Sequence, residues 1–173
     1  GIPVTCGVNP VHLTLNDTAL SNYDSNLKLF PPLRTPADME ALKAGLIDGT
    51  IDVICSAHQP QNEERKKLEF EYADPGIINL QTCFALANMA LRDSMKTELI
   101  IRKMVDNPRR ILGLAVPTIT ESSVANFTIF DSTASWEFSK VEIKSKSFNT
   151  PFTGMKLIGK PVAIYNHNQF QIN

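Results

Sequence analysis

The chain has 173 residues, 43% of them apolar, and carries 17 basic against 18 acidic side chains for a net charge of −1. That length and apolar share can bury a real core and fit one domain, or one and a fraction. The charge balance supplies no general field for phosphate backbones or acidic membrane surfaces, which argues against nucleic acid, and no run has the length of a spanning helix or the layout of a signal peptide.

The chain opens Gly1-Ile2-Pro3 with no initiator Met, and Val4 to Val8 reads as a buried strand rather than a frayed end, the pattern of a fragment or processed product. Asn9-Pro10 and a turn-rich stretch from Asn16 to Asn26 follow, then an extended run from Leu27 to Phe30 stopped by Pro31-Pro32. A helix is signalled next: Thr35 as N-cap, Pro36 as first helical residue, Asp38 beside the helix start, then Met39, Leu42, Leu46 and Ile47 at helical spacing until Gly49. Ile51 to Cys55 is an apolar run of strand length, so the order strand, strand, helix, strand predicts an α/β fold with parallel strands.

The charged run Glu63 to Lys67 reads as a solvated loop or helix end. Pro75-Gly76 is expected to open a long apolar helix through Leu91, and Glu98 to Val105 to form another that Asn107-Pro108 stops. From Val124 the pattern turns to short strands, Val124 to Phe130, Trp136 to Ile143 and Val162 to Tyr165, making the last part of the chain mainly β.

Groups able to do chemistry are scarce. Cys6, Cys55 and Cys83 are widely spaced inside apolar runs, without the close pairing of a structural zinc site, and are expected to be buried free thiols of a cytoplasmic protein. Asn16-Asp17-Thr18 and Asn126-Phe127-Thr128 match the glycosylation sequon, which means nothing without secretion. Of the 3 histidines, His12 and His58 each follow a strand, where barrel enzymes keep their chemistry, and His167 lies in a polar terminus. A lone histidine in such a place is more often structural than a ligand, and a pair falls short of the usual ligand count of a catalytic zinc.

Several strings resemble dihydroorotases of the amidohydrolase superfamily, in the correct order. Pro10-Val11-His12-Leu13 resembles a segment whose histidine is a metal ligand, and His12 holds that position. Lys28-Leu29-Phe30-Pro31-Pro32-Leu33-Arg34-Thr35 resembles Lys-x-Asn-Pro-Pro-Leu-Arg-Thr, with Phe30 in place of an asparagine of the substrate pocket. Ile54-Cys55-Ser56-Ala57-His58-Gln59-Pro60-Gln61 resembles Ile-Ala-Thr-Asp-His-Ala-Pro-His, so that Ala57 stands at the metal-binding aspartate and Gln61 at a histidine that contacts the substrate carboxylate. Ala73-Asp74-Pro75-Gly76, Asn107-Pro108 with Leu112-Gly113-Leu114, and Asn149-Thr150-Pro151-Phe152 extend the match along the chain, with Pro75 and Gly76 at substrate-binding positions.

The resemblance implies the last strands and helices of a TIM-like barrel over residues 1–113, followed by part of a small β-rich satellite domain over 114–173. It implies zinc as cofactor, held in part by residues of a missing N-terminal half, and the interconversion of carbamoyl aspartate and dihydroorotate in pyrimidine biosynthesis. In the family, the aspartate at this position binds metal and carries the proton from the attacking hydroxide to the leaving nitrogen. The Ala57 methyl can do neither, and loss of a general acid or base alone costs about 10²- to 10⁴-fold in rate. Asp52 is expected to face the opposite side of the strand, leaving Glu63 and Glu64 as better substitute carboxylates. The expected outcome is an impaired or inactive dihydroorotase-like protein. Alternatives are a noncatalytic scaffold for aspartate carbamoyltransferase or an amidohydrolase acting on another cyclic amide, and the expected partners are the N-terminal half of the same protein, aspartate carbamoyltransferase or a second copy in a homodimer.

Overall fold

The structure is a computed structural model describing residues 2–173. Strand β1 (Gly7–Val8) runs parallel to β2 (Val53–Ile54), with Gly7 opposite Val53 and Val8 opposite Ile54. The crossover holds a short helix α1 (Val11–Thr14) and the longer α2 (Pro36–Asp48). Helix α2 starts as its sequence dictates: the Thr35 side chain accepts from the Asp38 amide at 3.2 Å and the Asp38 carboxylate accepts from the Thr35 amide at 3.2 Å, a reciprocal capping box with Pro36 in the first turn. Gly49, at φ 91, ends it in the left-handed conformation.

The strands are shorter than expected. Ile2 and Val4 are 88% and 79% exposed, and only Gly7 and Val8 of the first apolar run enter the ladder. Helix α3 (Glu63–Lys66) forms within the charged run. The helix expected from Pro75 begins later, as α4 (Cys83–Leu91). Pro75 to Ile78 cannot be helical because Gly76 has φ 138 and the backbone polar groups there bond to distant partners, including the Ile77 carbonyl, which accepts from the Gln59 amide at 2.7 Å.

Asn107-Pro108 does not stop the next helix. Helix α5 (Thr97–Ile101) passes through a π turn (Arg102–Asp106) into α6 (Asn107–Ile111). Proline lacks an amide hydrogen and crowds the preceding turn. The wider turn, in which the Asn107 amide reaches back to the Arg102 carbonyl, shifts the hydrogen-bond register so that Pro108 enters as the start of a new segment.

Strands β3 (Phe127–Phe138), β4 (Met155–Asn166) and β5 (Gln169–Ile172) form an antiparallel sheet in that order. The two strands expected before residue 143 are one, β3, with irregular register between Asp131 and Ser135. There the Asp131 carboxylate accepts from the Thr133 amide at 2.7 Å and the Ala134 amide at 3.0 Å, satisfying backbone groups that leave the ladder.

Helix α4 is apolar around its circumference except at Asn88 because it is packed on two sides. Cys83, Ala87 and Leu91 join Val8, Leu46 and Ile54 in one core. Ala85 and Leu86 join Val11, Ile77, Phe138, Phe152 and Leu157 in a second, which the antiparallel sheet shares. The buried Asn88 amide donates to the Ser132 and Ile158 carbonyls at 2.9 and 3.0 Å, fixing α4 against β3 and β4. Gly159, at φ 104, permits that approach, since a β-carbon there would lie 2.9 Å from the Phe84 ring. Among the cysteines only Cys83 is buried, whereas Cys6 and Cys55, expected inside, are exposed. No helix among the described residues is long and apolar enough to cross a membrane.

Candidate active site

The candidate residues lie on the loops that leave β1 and β2. Asn79 ties those strand ends together: its side-chain amide donates to the Asn9 side chain at 2.9 Å and to the Ser56 carbonyl at 3.0 Å, and its own oxygen accepts from the Thr82 hydroxyl at 2.7 Å. The residues that follow these two anchors are the ones in question, His12 after Asn9 and Ala57 after Ser56.

Ala57 is exposed and has φ 45, in the left-handed region. L-residues with a β-carbon pay about 1 to 2 kcal/mol there, while Asn and Asp adopt it more readily through local hydrogen bonds. The backbone at Ala57 thus has a conformation that glycine, asparagine or aspartate adopts more readily than alanine. His58, next in the chain, accepts at Nδ1 from the Asn79 and Leu80 amides at 3.1 and 3.2 Å. Its Nε2 therefore carries the proton, and the imidazole is a donor on the wall of a cavity of about 190 Å³ that Thr82 and Lys144 also line. His12 is half-buried and its Nε2 is 3.0 Å from the Pro31 carbonyl. A carbonyl only accepts, so this nitrogen too is protonated, and the contact joins His12 to the segment carrying Phe30, which is 81% exposed.

Gln61, Pro75 and Gly76 meet directly. The Gln61 side-chain amide donates to the Pro75 carbonyl at 3.0 Å, and a β-carbon on Gly76 would lie 3.0 Å from the Gln59 carbonyl and 3.2 Å from Gln61 Cγ. Two residues without an assigned role in the sequence reading hold this junction. Asn149, buried in the Asn-Thr-Pro-Phe string, accepts from the Gln61 amide at 3.1 Å and donates to the Gln59 carbonyl at 2.9 Å, while its carbonyl accepts from the Ile78 amide at 3.0 Å. Lys66, 4% exposed, donates from Nζ to the Asp74 and Gly76 carbonyls at 3.0 and 3.2 Å. Burial pushes the Lys66 ammonium down to about 8 from its ordinary range. The only signal for Asn149 was the specificity of its string, and a lysine within a charged run gave none.

The three carboxylates nearest residue 57 in sequence are engaged elsewhere or exposed. Asp52 accepts from the Cys6 amide at 2.8 Å, Glu63 pairs with Lys67, and Glu64 is exposed. Burial, with Cys55 close by, pushes the Cys83 thiol up to about 12, which keeps it protonated. Among the described residues no three His, Cys, Asp or Glu side chains converge as metal ligands. With a methyl at residue 57, the donors described on this chain fall short of the three protein ligands of a catalytic zinc, while His12, donating from Nε2 to the Pro31 carbonyl, keeps Nδ1 free as a ligand.

Comparison with solved structures identifies the architecture. The L-hydantoinase (dihydropyrimidinase) of Arthrobacter aurescens superposes with a TM-score of 0.87 at 21% identity, over 98% of this chain and 40% of that one. The inactive dihydroorotase-like domain of the Chaetomium thermophilum CAD-like multifunctional protein superposes with a TM-score of 0.67 at 22% identity, over 98% of this chain and 44% of that one. The fold is that of the C-terminal portion of an amidohydrolase, with part of the barrel followed by the β-rich segment. Within that class the chain is a homologue of the dihydroorotases. It is 39% identical over 163 residues to the dihydroorotase of Geobacter sp. (strain M21), covering 94% of this chain and 38% of that protein. It is 43% identical over 161 residues to that of Elusimicrobium minutum, covering 92% and 37%. The chain thus spans well under half the length of these relatives. No family model matches it.

Proposed function

We propose that the chain is part of a dihydroorotase-like protein in which the family reaction, the interconversion of carbamoyl aspartate and dihydroorotate in pyrimidine biosynthesis, is lost or strongly impaired. The observation that carries this reading is Ala57: a methyl group stands where the dihydroorotase motif resembled by Ile54 to Gln61 has its aspartate, on a backbone at φ 45 that an aspartate could adopt, so nothing there can ligate zinc or shuttle the proton between nucleophile and leaving nitrogen. Gln61 adds to it, because its amide is spent on the Pro75 carbonyl and it cannot become a cation for the substrate carboxylate. The full-length protein, assayed with zinc for dihydroorotate hydrolysis, is expected to turn over about 10²- to 10⁴-fold below a dihydroorotase that has the aspartate. Ala57→Asp is expected to raise its zinc content and its turnover together. Near-normal turnover of the unaltered protein would defeat the reading.

A noncatalytic scaffold in the assembly of aspartate carbamoyltransferase is the second reading. It is favoured by the contrast between lost chemistry and intact architecture: Asn79, Asn149 and Gly76 still brace the site, while the groups at 57 and 61 are replaced. Co-elution of the full-length protein with the transferase supports this reading, and separate elution at micromolar concentrations counts against it.

A further inference from the structure

Lys66 and Lys67, in the charged run after β2, come together with Lys140 and Lys146, in the segment between β3 and β4. All line one groove of about 560 Å³, which holds four ammonium groups and a single carboxylate, Glu63. Glu63 is already bonded to Lys67, which holds its carboxyl below the usual range, with Lys140 acting in the same direction. Lys140 and Lys146 form no ion pair among the described residues. The Lys140 ammonium lies 5.0 Å from the centre of the Phe148 ring, which positions it without neutralising it. Lys66 adds a buried positive charge behind the groove, bonded to carbonyls and near enough to the Asp24 and Asp74 carboxylates for them to favour its charged form.

This concentration of positive charge is notable in a chain whose net charge is −1. Like charges gathered on one concave surface repel one another unless an anion joins them. A single carboxylate would satisfy too few of them, whereas a group with several charges in a compact volume would reach donors on both walls. The volume is in the range of small-molecule sites and exceeds what inorganic phosphate needs. Phe148 and Tyr23, 52% and 72% exposed, offer apolar surface for an organic part. We propose that this groove binds a small organic polyphosphate, with Lys140 and Lys146 as the principal charge partners. The groove borders the junction described above through Gln61, Lys66 and Asn149, but Lys140 and Lys146 take no part in that junction, so the inference does not rest on the dihydroorotase reading.

The test is calorimetric titration of the full-length protein with inorganic pyrophosphate, and then with adenosine diphosphate, in phosphate-free buffer at low ionic strength. One saturable site per chain is expected, at least tenfold weaker at 0.15 M salt than at 0.02 M, in line with screening. The Lys140→Ser/Lys146→Ser double variant is expected to lose at least tenfold in affinity at unchanged melting temperature, and Lys96→Ser, at an exposed lysine outside the groove, to bind as the parent does. Absence of saturable binding of both probes up to 10 mM, or equal weakening by Lys96→Ser and the double variant, overturns the proposal. Saturable pyrophosphate binding with no gain for the diphosphate of the nucleoside overturns its organic part.

Discussion

Ala57 combines two facts that are separable by mutation: a side chain without chemistry and a backbone at φ 45. Left-handed backbone costs an alanine about 1 to 2 kcal/mol, and glycine avoids that cost while losing about 0.5 to 1 kcal/mol through the greater freedom of its unfolded chain. Ala57→Gly is therefore expected to stabilise the protein by about 0.5 to 1 kcal/mol, read as a higher midpoint in denaturant. A lower midpoint would show that the site's shape does not strain alanine. The two histidines are also explained at this scale. The Pro31 carbonyl fixes the proton of His12 on Nε2, where it is donated, whereas His58 accepts at Nδ1 from the Asn79 and Leu80 amides.

Between elements, the candidate site depends on a loop-to-loop clamp rather than on regular structure. Asn149 acts as a piece of backbone, giving one donor and one acceptor to the segment after β2 and a carbonyl to the segment before α4. Asn149→Ala would leave the Gln59 carbonyl and the Gln61 amide without their partner at a partly buried junction. Because both groups are only partly shielded, the low end of the cost of a stranded group applies, about 1 kcal/mol for each, and the expected loss is about 2 kcal/mol. Faster amide exchange at Gln61 and Ile78 than in the parent, by NMR, would place the loss at the clamp, and unchanged exchange there would refute this assignment. The same clamp explains why the helix expected from Pro75 starts only at Cys83: the intervening backbone is held by long-range partners. Helix α2 is the contrasting case, since its cap, its first-turn proline and its terminal glycine are all local, and it was legible residue by residue.

For the molecule as a whole, the buried ammonium of Lys66 makes stability depend on pH. Its folded value of about 8 lies below the ordinary 10.5, so between these values the unfolded chain binds more protons and stability rises with pH. The contribution is fully present above 10.5 and is lost as pH falls through about 8. Its full span is on the order of 3 kcal/mol. Lys66→Met, which keeps the stem but removes the charge, is expected to flatten the rise in unfolding free energy between pH 8 and 10.5. An identical slope in parent and variant would show that another group governs this range.

The amino-acid sequence alone determined the α/β class, the limits of helix α2, the similarity to dihydroorotases and the methyl side chain at residue 57, because these depend on local capping, short-range periodicity and the identity of single side chains. It could not reveal that β3 is one interrupted strand, that Pro108 continues a helix through a π turn, or that only Cys83 of the cysteines is buried. Those outcomes depend on what each segment packs against. Tertiary structure alone decided that Asn149 and Lys66 brace the site and that lysines far apart in the chain share one groove. The physical reason is the same in each case: hydrogen bonds and charges act through space, and the partners that satisfy them are fixed only when distant segments have been brought together.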